Sequence, residues 1–471
     1  MKNGILFELF FTTKLVKMEF KQLLKMPLLA LLALGLVMVS CKKDDDTSTD
    51  DLDQELEAVL LNASGGQGLS FFVLPESDDF ASIPQDPNNP LTTAKVALGK
   101  LLYHETGMGL SPMHAESEGT FSCASCHFAS AGFQAGRLQG ISDGGIGFGV
   151  NGEGRQPNPN YMEAELDVQP IRSPTALNVA YQEVMLWNGQ FGAKGLNAGT
   201  ESQWTAGTPK EKNFLGYEGV ETQAIAAQDV HRLEIPMDFL EQTGYKAMFD
   251  LAYPNIPANE RYTKEYSGLA IAAYERTLLA NQAPWQRWLR GEQNAMTDQE
   301  KRGAILFFEK GECGTCHTGP ALNTMEFYAI GMNDLHLCPE PVFKTDETSA
   351  ERKGRASFTG KAEDEYKFKV PQLYNLKDSP FYGHGSTFRS IKSVVEYKNE
   401  GVSENADVPA SQLAAEFKPL GLSNEEVDAI VAFIQNALYD PDLGRFEPDA
   451  ILSGNCFPFN DPIARVELGC E

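Results

Sequence analysis

The chain has 471 residues, 42% of them hydrophobic and 22% charged, with a formal net charge of -26 and eight cysteines. That apolar share can bury a core, which excludes a disordered chain, and the length suits two to three domains. The acidic balance excludes a surface built to hold nucleic acid and suits basic partners.

The N-terminus reads as an export signal. Lys14, Lys17, Lys21 and Lys25 form a basic region, and residues 28–39 form an apolar stretch too short to span a bilayer comfortably. Met18 is a second candidate start, because residues 1–17 fit no part of a signal. The stretch ends at Ser40-Cys41, which resembles the lipobox of bacterial lipoproteins. Residues 1–40 are therefore read as a lipoprotein-type signal peptide and Cys41 as the lipidated first residue of the mature chain. Its removal sheds five lysines and two glutamates and leaves a charge of -29. Residues 41–55, beginning Cys41-Lys42-Lys43-Asp44-Asp45-Asp46, read as a flexible acidic tether. The expected location is the periplasm or the outer-membrane surface, with the lipid anchor as the only membrane contact.

Val96, Leu98, Leu101 and Leu102 recur with helical spacing and predict a helix over residues 94–103. Next comes Cys123-Ala124-Ser125-Cys126-His127. Residues 128–220 are rich in Gly, Asn and Pro and read mostly as loop. A helical region follows over residues 266–289, broken near Pro284. Thr297-Asp298-Gln299-Glu300 is a capping box opening a helix that carries Ala304, Ile305, Phe307 and Phe308 and ends at Gly311. Then comes Cys313-Gly314-Thr315-Cys316-His317. A second capping box, Ser423-Asn424-Glu425-Glu426, opens a helix over residues 427–438. No run of alternating strands appears, so the fold reads as mainly α with long loops.

Each Cys-x-x-Cys-His has a chemical reason. Two thiols three apart on a turn can add to the two vinyl groups of one haem, and the next histidine then lies under the iron. A lone Cys-x-x-Cys also fits a redox dithiol or half a zinc site. Two copies, both with the histidine, in an exported chain point to two covalent haem c groups. His127 and His317 lie 190 residues apart, which gives one haem to each of two cytochrome c-like domains, residues 56–290 and 291–440, followed by a tail over residues 441–471. Of the remaining cysteines, Cys456–Cys470 would close the tail, and Cys338 is the alternative partner.

Around these motifs the sequence resembles the bacterial di-haem cytochrome c peroxidase and MauG superfamily over most of residues 91–440. The matching stretches are Leu98-Gly99-Lys100-Leu101-Leu102-Tyr103, Arg172-Ser173-Pro174-Thr175-Ala176-Leu177-Asn178, Trp187-Asn188-Gly189-Gln190, Ala272-Ala273-Tyr274-Glu275-Arg276-Thr277-Leu278 and Pro371-Gln372-Leu373-Tyr374-Asn375. The resemblance implies a peroxidase reducing hydrogen peroxide to water. Peroxide would react at the His127 haem, and electrons would enter at the His317 haem from a small cytochrome c or cupredoxin. It places a bridging tryptophan at Trp187, and a glutamine and a catalytic glutamate at Gln223 and Glu234, with His231 as a rival acid–base group. It also implies a calcium ion near Ser173, Asp378 and Pro380, and the sequence leaves a homodimer open. Two other functions stay open: MauG-like oxidation of a protein or organic substrate, and electron carriage without catalysis.

Scarce residues add to this. No histidine lies between His127 and His231, so no loop histidine is available there to block the first iron. No methionine follows Met332, so the family's methionine on the second iron is missing. Alignment without a gap puts Tyr397 at that ligand position, and a shift by one puts Lys398 there. His336 and His384, and His104 and His114 before the first motif, read as more structural than ligating.

Overall fold

The computed structural model describes residues 49–470. The export signal, Cys41 and most of the acidic tether lie outside the described residues. Helices and 3-10 turns carry nearly all the regular structure, and the strands are two antiparallel ladders of two residues each: Gly145–Ile146 with Gln156–Pro157, and Phe327–Tyr328 with Phe368–Lys369. The mainly α expectation holds. Among the described residues no helix is long and apolar enough to cross a membrane.

Helix α1 (Thr49–Ala63) overturns the reading of residues 49–55 as tether. Its acidic residues hid a stripe of Leu52, Leu56, Val59 and Leu60, all buried. Asp53 is buried with them because Lys301 meets it at 2.6 Å and the Trp288 indole N–H donates to it.

Two halves repeat one device. In the first, α2 (Thr93–His104), capped by Thr92, crosses the helix Lys264–Glu275 and leads to the first Cys pair. A Cβ on Gly99 would stand 1.8 Å from the Ala270 carbonyl oxygen, so only glycine lets these backbones meet. We label Gly219–Val230 α3, Lys264–Glu275 α4 and Pro284–Leu289 α5. In the second half α6 (Asp298–Phe308), opened by the expected Thr297 capping box, leads to the second Cys pair. Helix α7 spans Ile391–Glu400, and α8 (Asn424–Ala432) starts at the expected Ser423 box. Where α6 crosses α8, a Cβ on Gly303 would stand 2.0 Å from the Ala429 carbonyl oxygen. The last helix, α9, is Pro462–Leu468.

The helical region read over residues 266–289 leaves the helix at Glu275, well before Pro284. Arg276, next in line, turns inward to two carboxylates, Glu221 and Glu218, and to the Pro84 carbonyl. That tertiary demand overrides local helix preference.

Packing does not follow the chain order read from the sequence. One core joins α2, α3 and α4 and takes in Leu443 and Phe446 from beyond residue 440. The other joins α6 and α8 and takes in α1, Phe72, Leu74, Ile83 and Trp285. The stretch read as a tail is part of the first half, where Phe459 and Ala464 pack on Phe128 and Phe148. Cys456 and Cys470 are joined in a disulfide.

Candidate haem-binding sites

The first site begins after α2. Residues Cys123–Ser125 form a 3-10 turn, with the Ser122 N–H bonded to the Ser125 hydroxyl, which itself donates to the Pro458 carbonyl. His127 follows with Nδ1 at 3.2 Å from the Phe133 carbonyl, and the Pro174 carbonyl also reaches it. The second site repeats this. Residues Cys313–Thr315 form the turn, and His317 Nδ1 sits 3.0 Å from the Leu322 carbonyl with the Pro371 carbonyl in reach.

A carbonyl can only accept, so Nδ1 carries the proton in both rings and Nε2 keeps a free lone pair. Burial pushes both imidazoles down to about 4, so both are neutral at pH 7. A fixed neutral ring with Nε2 free is what a metal ligand needs. The four thiols are free and half-buried. Burial raises all four, Cys126 and Cys313 to about 12. That direction is the reverse of the lowered thiol a redox dithiol uses.

Cys313, Cys316 and His317 open into a cavity of about 290 Å3 whose walls include Phe307, Ile330, Val370 and Leu373. Gly314 is glycine because a Cβ there would meet the Phe308 ring at 2.4 Å. Trp187 forms part of the cavity wall and donates its indole N–H to the Arg172 carbonyl at 2.8 Å. Pro174, two residues on, lines the same cavity while its carbonyl reaches His127. Residues 172–174 thus link Trp187 and the second cavity to the first site.

Residues 93–294 match the family model described as di-haem cytochrome c peroxidase. Over that stretch the chain is similar to the family. It is 27% identical to the methylamine utilization protein MauG of Methylorubrum extorquens, over 76% of this chain and 82% of the relative. It is also 27% identical to the cytochrome-c peroxidase IdrP1 of Denitromonas iodatirespirans, over 80% of this chain and 90% of the relative. A crystal structure of a MauG-like protein associated with microbial copper homeostasis shares the fold. Its TM-score is 0.53 at 20% identity, covering 83% of this chain and 98% of that one.

A di-haem family carries two haem c groups, and the residues present fit them. Each half offers two free thiols three apart and a neutral imidazole with a free Nε2, and in the second half these open into the apolar-walled cavity. As an oxidoreductase family, its chemistry is electron transfer at the two irons.

The other predicted residues fall as follows. Gln223, on α3, is half-buried beside the Val220 and Ala224 core face, and its amide has no hydrogen bond among the described residues. The Glu234 side chain is 40% exposed, and its carboxylate is paired with Lys264 at 2.8 Å. His231 instead holds Asp167 through Nδ1 at 2.8 Å, and its charge is felt at His127. Burial opposes the His231 charge, but the Asp167 carboxylate outweighs it and raises the ring above its ordinary value. Asp167 was not legible in the sequence, where it lies 64 residues from His231 in loop.

Tyr397 does not reach the second cavity. Its hydroxyl donates to the Ile330 carbonyl at 2.5 Å, and its ring packs on Phe388 and Phe417. Lys398 lines the cavity in its place. Asp378 accepts from the Asn375 amide, and burial raises its carboxyl. Among the described residues no group of three His, Cys, Asp or Glu is arranged for a metal, so a calcium ion near Ser173 and Pro380 would rest largely on carbonyls. His384 lines the second cavity, stacked on Phe368 at 3.7 Å and held by Asp334. His104 is buried against Tyr274 and Phe457, His114 pairs with Glu165, and His336 follows Leu335 in a 3-10 turn.

Proposed function

We propose that this protein reduces hydrogen peroxide to water, drawing two electrons from a small cytochrome c or cupredoxin and two protons from solvent. When bound, haem supplies a redox-active iron at each of the two histidines. The carrying observation is the His231–Asp167 pair beside His127, an acid–base group that a simple electron carrier does not need.

In this reading His127, held neutral by burial and fixed at Nδ1 by the Phe133 carbonyl, keeps its Nε2 for the iron. His231 takes the proton from one peroxide oxygen and delivers it to the other, while Asp167 fixes its ring and supports its charged form. Gln223, with its uncommitted amide, orients the peroxide. Glu234 keeps a secondary role, because its carboxylate is engaged by Lys264 and half-exposed to solvent. Trp187 is the bridge for electrons between the halves, joined to the first site through residues 172–174.

Oxidation of a protein or organic substrate in the manner of MauG is the second reading. It is favoured by the lack of any methionine beyond Met332 and of any histidine between His127 and His231.

Peroxide turnover with a reduced small cytochrome as donor tests both. The parent should turn over rapidly. His231→Gln should lose on the order of 10²-fold or more, the usual worth of a positioned acid–base group, and Glu234→Gln should lose less than tenfold. Equal activity of His231→Gln and parent would return the role to Glu234. Oxidation by peroxide without donor turnover would favour the MauG-like reading, and inertness toward peroxide would leave a carrier.

A further inference from the structure

Helix α7 presents one face to the second cavity. Ile391, Val394, Val395 and Lys398 all line it, the i, i+3, i+4, i+7 spacing of a single helix stripe. Successive residues on a helix point about 100° apart, so the register that turns Lys398 inward turns Tyr397 away. Tyr397 is fully used elsewhere, by the Ile330 carbonyl and two flanking rings.

Lys398 is the cavity's uncommitted cation. Among the described residues its ammonium has no hydrogen bond or ion pair, and its nearest aromatic neighbour is the Phe417 ring at 5.5 Å. The other lysine of the cavity, Lys369, contrasts with it, because its ammonium donates to the Gln182 amide oxygen and the Val184 carbonyl. Lys398 is half-buried with no acceptor among the described residues, and as an amine its lone pair suits a metal. The charge on Lys398 is felt at His317, Cys313 and Cys316, so it lies within electrostatic reach of all three haem-binding groups.

Besides the haem motif, the cavity's other imidazole and thioether donors are His384 and Met332. The His384 ring is stacked on Phe368 and its Nε2 is bound to Asp334 at 3.1 Å. Met332 is buried in the small core of Tyr397 and Phe417. Both are held by other groups, and Lys398 is not.

We propose that Lys398 is the second axial ligand of the iron held by His317, binding through Nζ as a neutral amine. Ligation releases one proton from the ammonium to solvent and involves no electron transfer. The proposal rests on the haem reading but not on the peroxidase reading, since it concerns the electron-entry iron. Two nitrogen donors make that iron low-spin and set its potential below that of a thioether-ligated centre.

The test uses the full-length holoprotein in the ferric state, read by electron paramagnetic resonance and near-infrared magnetic circular dichroism, with haem content from intact mass. The parent should show one low-spin haem with histidine and amine ligands. Lys398→Ala should lose that signal and turn the same haem high-spin. Lys398→Met should replace it with a sulfur-to-iron charge-transfer band and raise that haem's midpoint potential. Tyr397→Phe should leave the spectrum unchanged. A Lys398→Ala or Lys398→Met protein with two haems by mass and the parental spectrum would overturn the ligand, as would loss of the low-spin signal in Tyr397→Phe. A parent lacking two tetrapyrrole masses would instead overturn the haem reading beneath it.

Discussion

The chemistry of the first site turns on a pair of side chains far apart in sequence. His231 at the end of α3 and Asp167 in a loop meet at 2.8 Å beside His127. As a base toward peroxide His231 must be neutral, so the reaction with peroxide should fall as pH drops through its raised value. Asp167→Asn removes the negative charge and leaves burial, which pushes the ring down. The acidic limb should therefore move to lower pH in that variant, and stopped-flow rates of peroxide reaction from pH 5 to pH 8 would read it. An unmoved limb would exclude His231. The linked stability runs in the opposite direction. The raised value means that the pair stabilises the fold below the ordinary histidine range and loses that contribution as pH rises through the folded value.

The haem motifs were legible at this scale because covalent chemistry fixes their spacing. The partners of the ring nitrogens were not, because a backbone carbonyl leaves no mark on residue type. Tyr397 against Lys398 shows how fine the margin is. One residue of register separates them, and the Ile330 carbonyl with the packing of Phe388 and Phe417 around the tyrosine decides it.

At the level of helices, the capping boxes at Thr297 and Ser423 were readable because their hydrogen bonds are local. Helix α1 was hidden because its solvent face carries the acids that resemble a tether. The two crossings were half-visible, in that Gly99 and Gly303 stand inside helical patterns where glycine is normally unfavourable. The structure gives the reason, a carbonyl oxygen 1.8 Å from where a Cβ on Gly99 would be and 2.0 Å from one on Gly303. Gly303→Ala should therefore destabilise the fold by about 1–3 kcal/mol or more, the cost of overpacking. Gly444→Ala, at a site with nothing within 4 Å of the new Cβ, should stay within about 0.5 kcal/mol of the parent. Guanidinium unfolding of both holoproteins measures the difference. Equal midpoints would mean that the α6–α8 crossing can open at little cost.

Over the whole molecule the ends are exchanged between the halves. The N-terminal α1 completes the core behind the second haem motif, and the C-terminal residues complete the wall of the first. A reading by sequence distance assigns each end to its nearest motif, and no local pattern corrects it. The tail is held by more than apolar contact. Asp461 forms a buried ion pair with Arg155 at 2.7 Å, receives the Gly147 N–H and caps α9 through the Ala464 N–H. Arg155 is itself almost fully buried, with its guanidinium over the Phe459 ring at 3.5 Å. Asp461→Ala would leave that cation without a counter-charge, and breaking a buried pair from one side costs about 3–5 kcal/mol. The loss should fall on the first site, because Pro458 anchors the Ser125 turn and Asn460 donates its N–H to the Thr120 carbonyl. Hydrogen exchange should then quicken around residues 120–127 and 441–470 and stay near parental around residues 313–317. Uniform quickening across both haem segments would mean that the tail serves the molecule as a whole rather than the first site.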